Sequence, residues 1–123
     1  FKKAVDEFKS GAVAFLKKVK DPSRFGVPVF SKDGKKILRI EEKPKNPKSL
    51  YAQTGFWLLD STVFSIIKTL KPSGRGELEM TDAVNYYVRE GNLSSSFVRG
   101  AWLDAGTITS LLAASIFFSK LKK

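Results

Sequence analysis

Asp33-Gly34 sits between two apolar runs, GVPVF (26–30) and KILRIEE (36–42), and restricts this chain more than any other short stretch. An Asp-Gly link takes up the positive φ that a tight turn between antiparallel strands requires. The strand around Val27–Phe30 is therefore predicted to fold back on Lys36–Glu42. A chain that must hold this hairpin cannot be a helical bundle, and the remaining segments show that it is not all β.

Phe1, Ala4, Val5 and Phe8 fall at i, i+3, i+4 and i+7, which predicts an opening helix with Gly11 as its stop. AVAFL at 12–16 is a continuous apolar run and reads as a buried strand. DPSRFG, 21–26, is a loop ahead of the hairpin. After the proline-interrupted loop KPKNPKS comes a strand over LYAQTGFWLLD, 50–60. Val63, Phe64, Ile66, Ile67 and Leu70 mark a helix, with Asp60, Ser61 or Thr62 as candidate N-cap. Met80, Ala83, Val84, Tyr87 and Val88 mark another that ends at Gly91. LSSSFV is a strand and AWLDAG a short strand and turn. Thr107 could cap a last helix whose Leu111, Leu112, Ile116 and Phe118 would bury internally or in a subunit contact, the internal core being the expectation. Strands and helices mix without repeat or linker, giving one α/β or α+β domain over residues 1–123. The edge strands and largely one-sided helices suggest a piece of a larger sheet.

Composition narrows the chemistry. An apolar fraction of 42% is enough for one core in 123 residues. With neither cysteine nor histidine there is no disulfide framework, no ordinary zinc site, no serine–histidine pair and no histidine base. No apolar run is long enough to span a bilayer, so a cytoplasmic protein with no membrane partner is expected. The net charge of +10 suits nucleic acid, a membrane surface or a small anionic ligand, but the lysines are spread along the chain, as on a solvated surface. RFGVPVF has a faint likeness to the aromatic strand of RNA-recognition domains, yet Pro28 would stand in a central strand there and no second motif follows. No nucleic-acid partner is expected.

Three stretches could carry chemistry. In EEKP, strand alternation puts Glu41 and Glu42 on opposite faces, so they are no acid–base dyad. Glu42 could accept from sugar hydroxyls and Lys43 could meet a phosphate, with Pro44 biasing Lys43 toward extended geometry. The same residues also suit a charged hairpin end. In GRGELEMTD, Arg75 stands between two glycines that let backbone and guanidinium approach a phosphate; a flexible loop before a helix explains it equally. In AWLDAGT, Asp104 could be a magnesium ligand or a turn aspartate.

Taken in order, DPSRFGVPVF, EEKPKNPKS, YAQTGFWLLD, KPSGRGELEMTD and AWLDAGT resemble the C-terminal portion of sugar-1-phosphate nucleotidyltransferases. The resemblance covers nearly the whole chain. It implies an α/β fold, part of the mixed-sheet, Rossmann-like, three-layer nucleotide-diphospho-sugar transferase fold. It implies a reaction in which a sugar 1-phosphate and a nucleoside triphosphate give a nucleotide-sugar and pyrophosphate. By that pattern Glu42 binds sugar hydroxyls, Lys43 and Arg75 hold the phosphate and act in catalysis, and Gly26, Thr54 and Gly55 line the sugar pocket. Trp102 packs near the sugar. Asp104 is one of two carboxylate ligands to Mg2+, the second lying outside these residues. A homo-oligomer is also implied. The sequence departs from the pattern in four places: the glycine-rich nucleotide loop is absent, as is the Gly-Asp-Asn segment. Phe25 stands where tyrosine is common, and Gln53 where a small apolar residue is common. The chain is therefore expected to be the acceptor half of an enzyme, without its N-terminal nucleotide-binding half and inactive alone. The alternative is a non-catalytic sugar-phosphate-binding or regulatory domain.

Overall fold

The computed structural model describes residues 1–121. The elements run α1 (Lys2–Glu7), β1 (Ala12–Lys18), β2 (Gly26–Phe30), β3 (Ile37–Glu42), β4 (Tyr51–Leu59), α2 (Thr62–Thr69), α3 (Met80–Arg89), β5 (Leu93–Phe97) and α4 (Ile108–Leu121), with a single 3-10 turn at Pro22–Arg24. β1 is the centre of a mixed three-stranded sheet, antiparallel to β4 and parallel to β5, and β2 and β3 form the separate hairpin. The mixed α/β class is as expected.

The apolar run of β1 explains its place. Alternate side chains serve opposite faces, so a strand buried on both must be apolar throughout. Ala12, Ala14 and Leu16 share one face, where Ala12 joins Ile66 of α2 and Ala83 and Tyr87 of α3 in the core. Phe15 faces the other way, and its ring meets Phe1 at 4.8 Å and Phe56 at 6.3 Å.

Opposite Phe15 the β1–β4 register jumps: Leu16 pairs with Gln53 but Ala14 with Trp57. Thr54, Gly55 and Phe56 bulge out between them, with Gly55 at φ +77°. Because Leu16 and Ala14 point to one face, their partners Gln53 and Trp57 do too. Bulges of this kind re-aim side chains, and this one borders the site.

Four expectations are corrected. The opening helix stops at Glu7, where Phe8 turns extended, and not at Gly11. Gly11 (φ +79°) instead lets β1 pass the loop after α3, where a Cβ would lie 2.5 Å from the Asn92 carbonyl oxygen. AWLDAG makes no strand. The Lys17 ammonium gathers the carbonyls of Val98, Arg99 and Gly100 at 3.2, 3.4 and 2.7 Å, leading the chain off the end of β5.

Thr107 does cap α4, accepting the Ser110 N–H at 3.1 Å. Yet Leu111, Leu112, Ile116 and Phe118 are not internal core: all four are exposed, and Ala114 is the buried residue of α4. Apolar residues lie all round this helix, so no single stripe directs it onto the sheet. The fourth correction, at Lys43, belongs to the site.

Candidate functional site

A helix and a strand of matched spacing build the site's floor. Asn85 of α3 pairs with both backbone groups of Ile40, accepting its N–H at 2.7 Å and donating to its carbonyl at 2.8 Å. The side-chain amide thus satisfies an edge of β3 that has no strand beside it. Four residues back along the helix is about 6 Å, and two residues on along a strand is about 6.6 Å. One turn before Asn85, Thr81 therefore meets Glu42, and its hydroxyl donates to Glu42 Oε2. Gly26 leaves room for this: a Cβ there would lie 3.2 Å from Thr81 Oγ1 and 3.4 Å from Glu42 Oε2. Glu41, on the other face of β3, pairs with Arg39 at 2.5 Å, so the two glutamates do separate as alternation requires.

Glu42 opens into a cleft of about 280 Å³. Across it stand Gln53, Thr54, Gly55 and Trp57 of β4, with Trp102 and Asp104 from the segment after β5. Trp102 is held by its indole N–H, which donates to the Thr54 carbonyl at 3.2 Å, and packs edge-on against Phe25 at 5.3 Å. Asp104 closes an Asx turn, its Oδ1 accepting the Gly106 N–H at 3.2 Å, while Oδ2 faces Arg24 at 3.3 Å.

Lys43 lines an adjoining cleft with Arg24, Asp104 and Thr107. Its backbone is not extended as Pro44 suggested but left-handed, at φ +43°. The Lys43 N–H donates to the Phe25 carbonyl at 3.0 Å, a bond that bends the end of β3 across the hairpin. A side chain at such φ is strained by about 1–2 kcal/mol, a cost that surrounding structure has to hold in place.

Six sequence-derived candidates thus share one cleft: Gly26, Glu42, Thr54, Gly55, Trp102 and Asp104. Lys43 is next door. Arg75 stands outside both clefts, paired with Glu77 at 2.9 Å and with Glu79 at 3.7 Å; Glu79 itself lines the first cleft. Residue reading missed Arg24 and Thr81. Both lie inside stretches singled out from the sequence, but their roles depend on partners 80 and 39 residues away.

Among the described residues no group of three acidic side chains gathers that could enclose a metal ion. Asp104 alone, already paired with Arg24, does not by itself fit a magnesium ion. No described helix is long and apolar enough to cross a membrane.

Comparison with known proteins agrees with the fold. The family described as Nucleotidyl transferase matches residues 1–120. Glucose-1-phosphate thymidylyltransferase of Mycolicibacterium smegmatis is 48% identical over 113 residues, covering 90% of this chain and 39% of that protein. A structure described as a glucose-1-phosphate thymidylyltransferase of Bacillus anthracis in complex with sucrose superposes with a TM-score of 0.82 at 50% identity, over 94% of this chain and 46% of that one. UDP-glucose pyrophosphorylase complexed with UDP-glucose shares the fold at a TM-score of 0.83 and 21% identity, over 96% and 47% of the two chains. The chain spans less than half the length of each of these relatives. It belongs to the nucleotidyl transferase family.

Proposed function

We infer that these residues form the sugar-phosphate side of an enzyme that makes a nucleotide-sugar, such as dTDP-glucose, and pyrophosphate from a sugar 1-phosphate and a nucleoside triphosphate. One observation carries the reading: a fixed carboxylate, Glu42, faces an aromatic and backbone wall across a sugar-sized cleft, with cations at its mouth. The activity named for the thymidylyltransferase relatives supports it.

In this reading Glu42, oriented by Thr81, accepts from sugar hydroxyls, and Trp102 covers a face of the ring. The Gly26 and Thr54–Gly55 backbones set the depth of the pocket. The sugar's phosphate lies toward Lys43, and Arg75 reaches it by leaving Glu77 and Glu79. A phosphate oxygen attacks the α-phosphorus of the triphosphate, the new P–O bond forms, and the bond to pyrophosphate breaks. Such transfers depend on position and on offsetting charge, which suits a site without histidine or cysteine. Magnesium, when bound, would supply Lewis-acid charge at the phosphates, and Asp104, once released from Arg24, would share in holding it. Domain organisation is read in the same way: residues 1–123 act as the acceptor half, and no glycine-rich phosphate loop occurs among them.

The test uses the longest reading frame that contains these residues, with a panel of sugar 1-phosphates and nucleoside triphosphates, following pyrophosphate release in magnesium. Release should depend on one sugar and fall on the order of 10²-fold in Asp104→Asn. No release with any pair from a folded protein would leave the non-catalytic sugar-phosphate-binding domain.

A further inference from the structure

The segment that brings Trp102 and Asp104 to the cleft has no strand ladder to hold it. The Val98 N–H donates to the Leu16 carbonyl at 2.8 Å, and beyond it no backbone group of residues 99–106 bonds to another backbone group among the described residues. Hydrogen bonds from three side chains tie the segment to the rest of the protein. Two of these ties are made inside the cleft, by the Trp102 indole on the Thr54 carbonyl and by Arg24 on Asp104. The third is made by Lys17 of β1, which lines neither the cleft of Glu42 nor that of Lys43.

Strand alternation puts Lys17 on the face of β1 shared by Val13 and Phe15, turned away from α2 and α3, and the residue is half-buried. An ammonium has three donors and no acceptor. Here three consecutive carbonyls take them, Val98 at 3.2 Å, Arg99 at 3.4 Å and Gly100 at 2.7 Å. Successive carbonyls of an extended chain point to opposite sides, so three in a row reach one nitrogen only where the chain curls. The ammonium therefore fixes the bend at which the chain leaves the direction of β5, just ahead of Trp102 and Asp104. We propose that Lys17 is a positioning residue of the cleft, holding the bend that sets Trp102 and Asp104 against the sugar 1-phosphate without touching it. Of the three ties, that of Lys17 alone lies where no ligand competes for it. The proposal rests on the sugar-phosphate reading of the cleft.

The competing account is a lysine that closes the end of β5 and matters to folding alone. The two accounts differ in what is lost with the ammonium. A positioning role predicts a local loosening that sugar phosphate binding feels while the fold is kept. A folding role lowers the thermal midpoint and leaves binding by the folded protein unchanged. Arg99 is a reporter already in place: it is exposed, its carbonyl is one of the three, and it is the only tryptic site between Arg89 and Lys120. Trypsin cuts a segment that has opened, so the rate of cleavage at Arg99–Gly100 follows the open population.

Wild type and Lys17→Met, each in the longest reading frame, would be digested with trypsin under native conditions and titrated calorimetrically with a panel of sugar 1-phosphates that includes α-D-glucose 1-phosphate. In wild type the sugar phosphate that binds should slow cleavage at Arg99–Gly100. In Lys17→Met that cleavage should be about tenfold faster, the sugar phosphate should bind roughly 3- to 30-fold more weakly, and the thermal midpoint should move by no more than about 2 °C. Lys17→Cys alkylated with 2-bromoethylamine regains an ammonium at nearly the same reach, and residues 1–123 hold no other cysteine. With full alkylation confirmed by mass, and wild type treated alongside, both properties should return. Cleavage and affinity unchanged in Lys17→Met, a lowered midpoint with affinity kept, or a loss that alkylation does not recover overturns the proposal while leaving the sugar-phosphate reading intact. Absence of binding by any sugar phosphate to wild type overturns both.

Discussion

Lys43 holds a left-handed backbone that glycine would take without cost, one residue before a proline. Glycine there relieves about 1–2 kcal/mol of strain but adds unfolded-chain entropy, so Lys43→Gly should stabilise by roughly 0.5–1 kcal/mol in urea unfolding. The same change removes the ammonium, and sugar 1-phosphate binding measured by calorimetry should weaken roughly tenfold or more. Gains in stability and losses in binding from one substitution would mark the strain as part of the site. The residue types were legible in the sequence, since EEKP offers a carboxylate and an ammonium at a strand end. The conformation was not, because the pre-proline rule favours extended geometry and a hydrogen bond across the hairpin to Phe25 overrides it.

Among the elements, Asp60 is the main junction. One carboxylate oxygen accepts the Gly11 N–H at 2.6 Å, and the other accepts the Thr62 N–H at 3.0 Å and the Tyr87 hydroxyl at 2.9 Å. The end of β4, the residue before β1, the start of α2 and the last turn of α3 therefore meet on one side chain. The Gly11 N–H, aided by Tyr87 and Thr62, holds the Asp60 carboxyl below the usual carboxylate range, against opposing desolvation. Burial, with the bond to Asp60, pushes the Tyr87 hydroxyl up to about 12. A depressed acid adds stability above its unfolded value, and that stability is lost as pH falls through the folded value, below about 4. A raised phenol adds stability below about 10 that is lost as pH rises toward 12. Thermal midpoints against pH should thus fall at both ends. Asp60→Asn should lower the neutral plateau and flatten the acid limb, and Tyr87→Phe should flatten the alkaline limb at a cost of about 1 kcal/mol. The hairpin, the helix periods and the stop of α3 were readable because their causes are local: Gly34 is at φ +70°, and Gly91 closes α3 with its N–H on the Val88 carbonyl at 3.1 Å. Which of Asp60, Ser61 and Thr62 caps α2 was left open by the sequence; the N-cap position falls to Ser61, whose side chain makes no capping bond, while Asp60 one residue earlier accepts the Thr62 N–H.

At the scale of the molecule, order should fall from β1 outward. Phe15 and Leu16 are 1% and 0% exposed, whereas α4 contributes only Ala114 to buried structure. Native-state hydrogen exchange should find the β1 amides opening only with global unfolding, and those of α4 exchanging much faster through local opening. Uniform protection across β1 and α4 would contradict this ordering. The mixed class was readable from the alternation of periods, and the centre of the sheet from AVAFL. The fate of α4 was not, since an apolar sequence records the need for a neighbour without identifying it. The parallel union of β1 and β5 has a further result, in time instead of space. Ser94 and Ala12 are bonded across 82 positions of chain. On a ribosome adding 5–20 residues per second, β1 leaves roughly 4–16 s before the strand that completes its far edge. The most apolar strand of the protein is thus the one that waits longest for its last partner, and chaperone dependence during synthesis should track that interval.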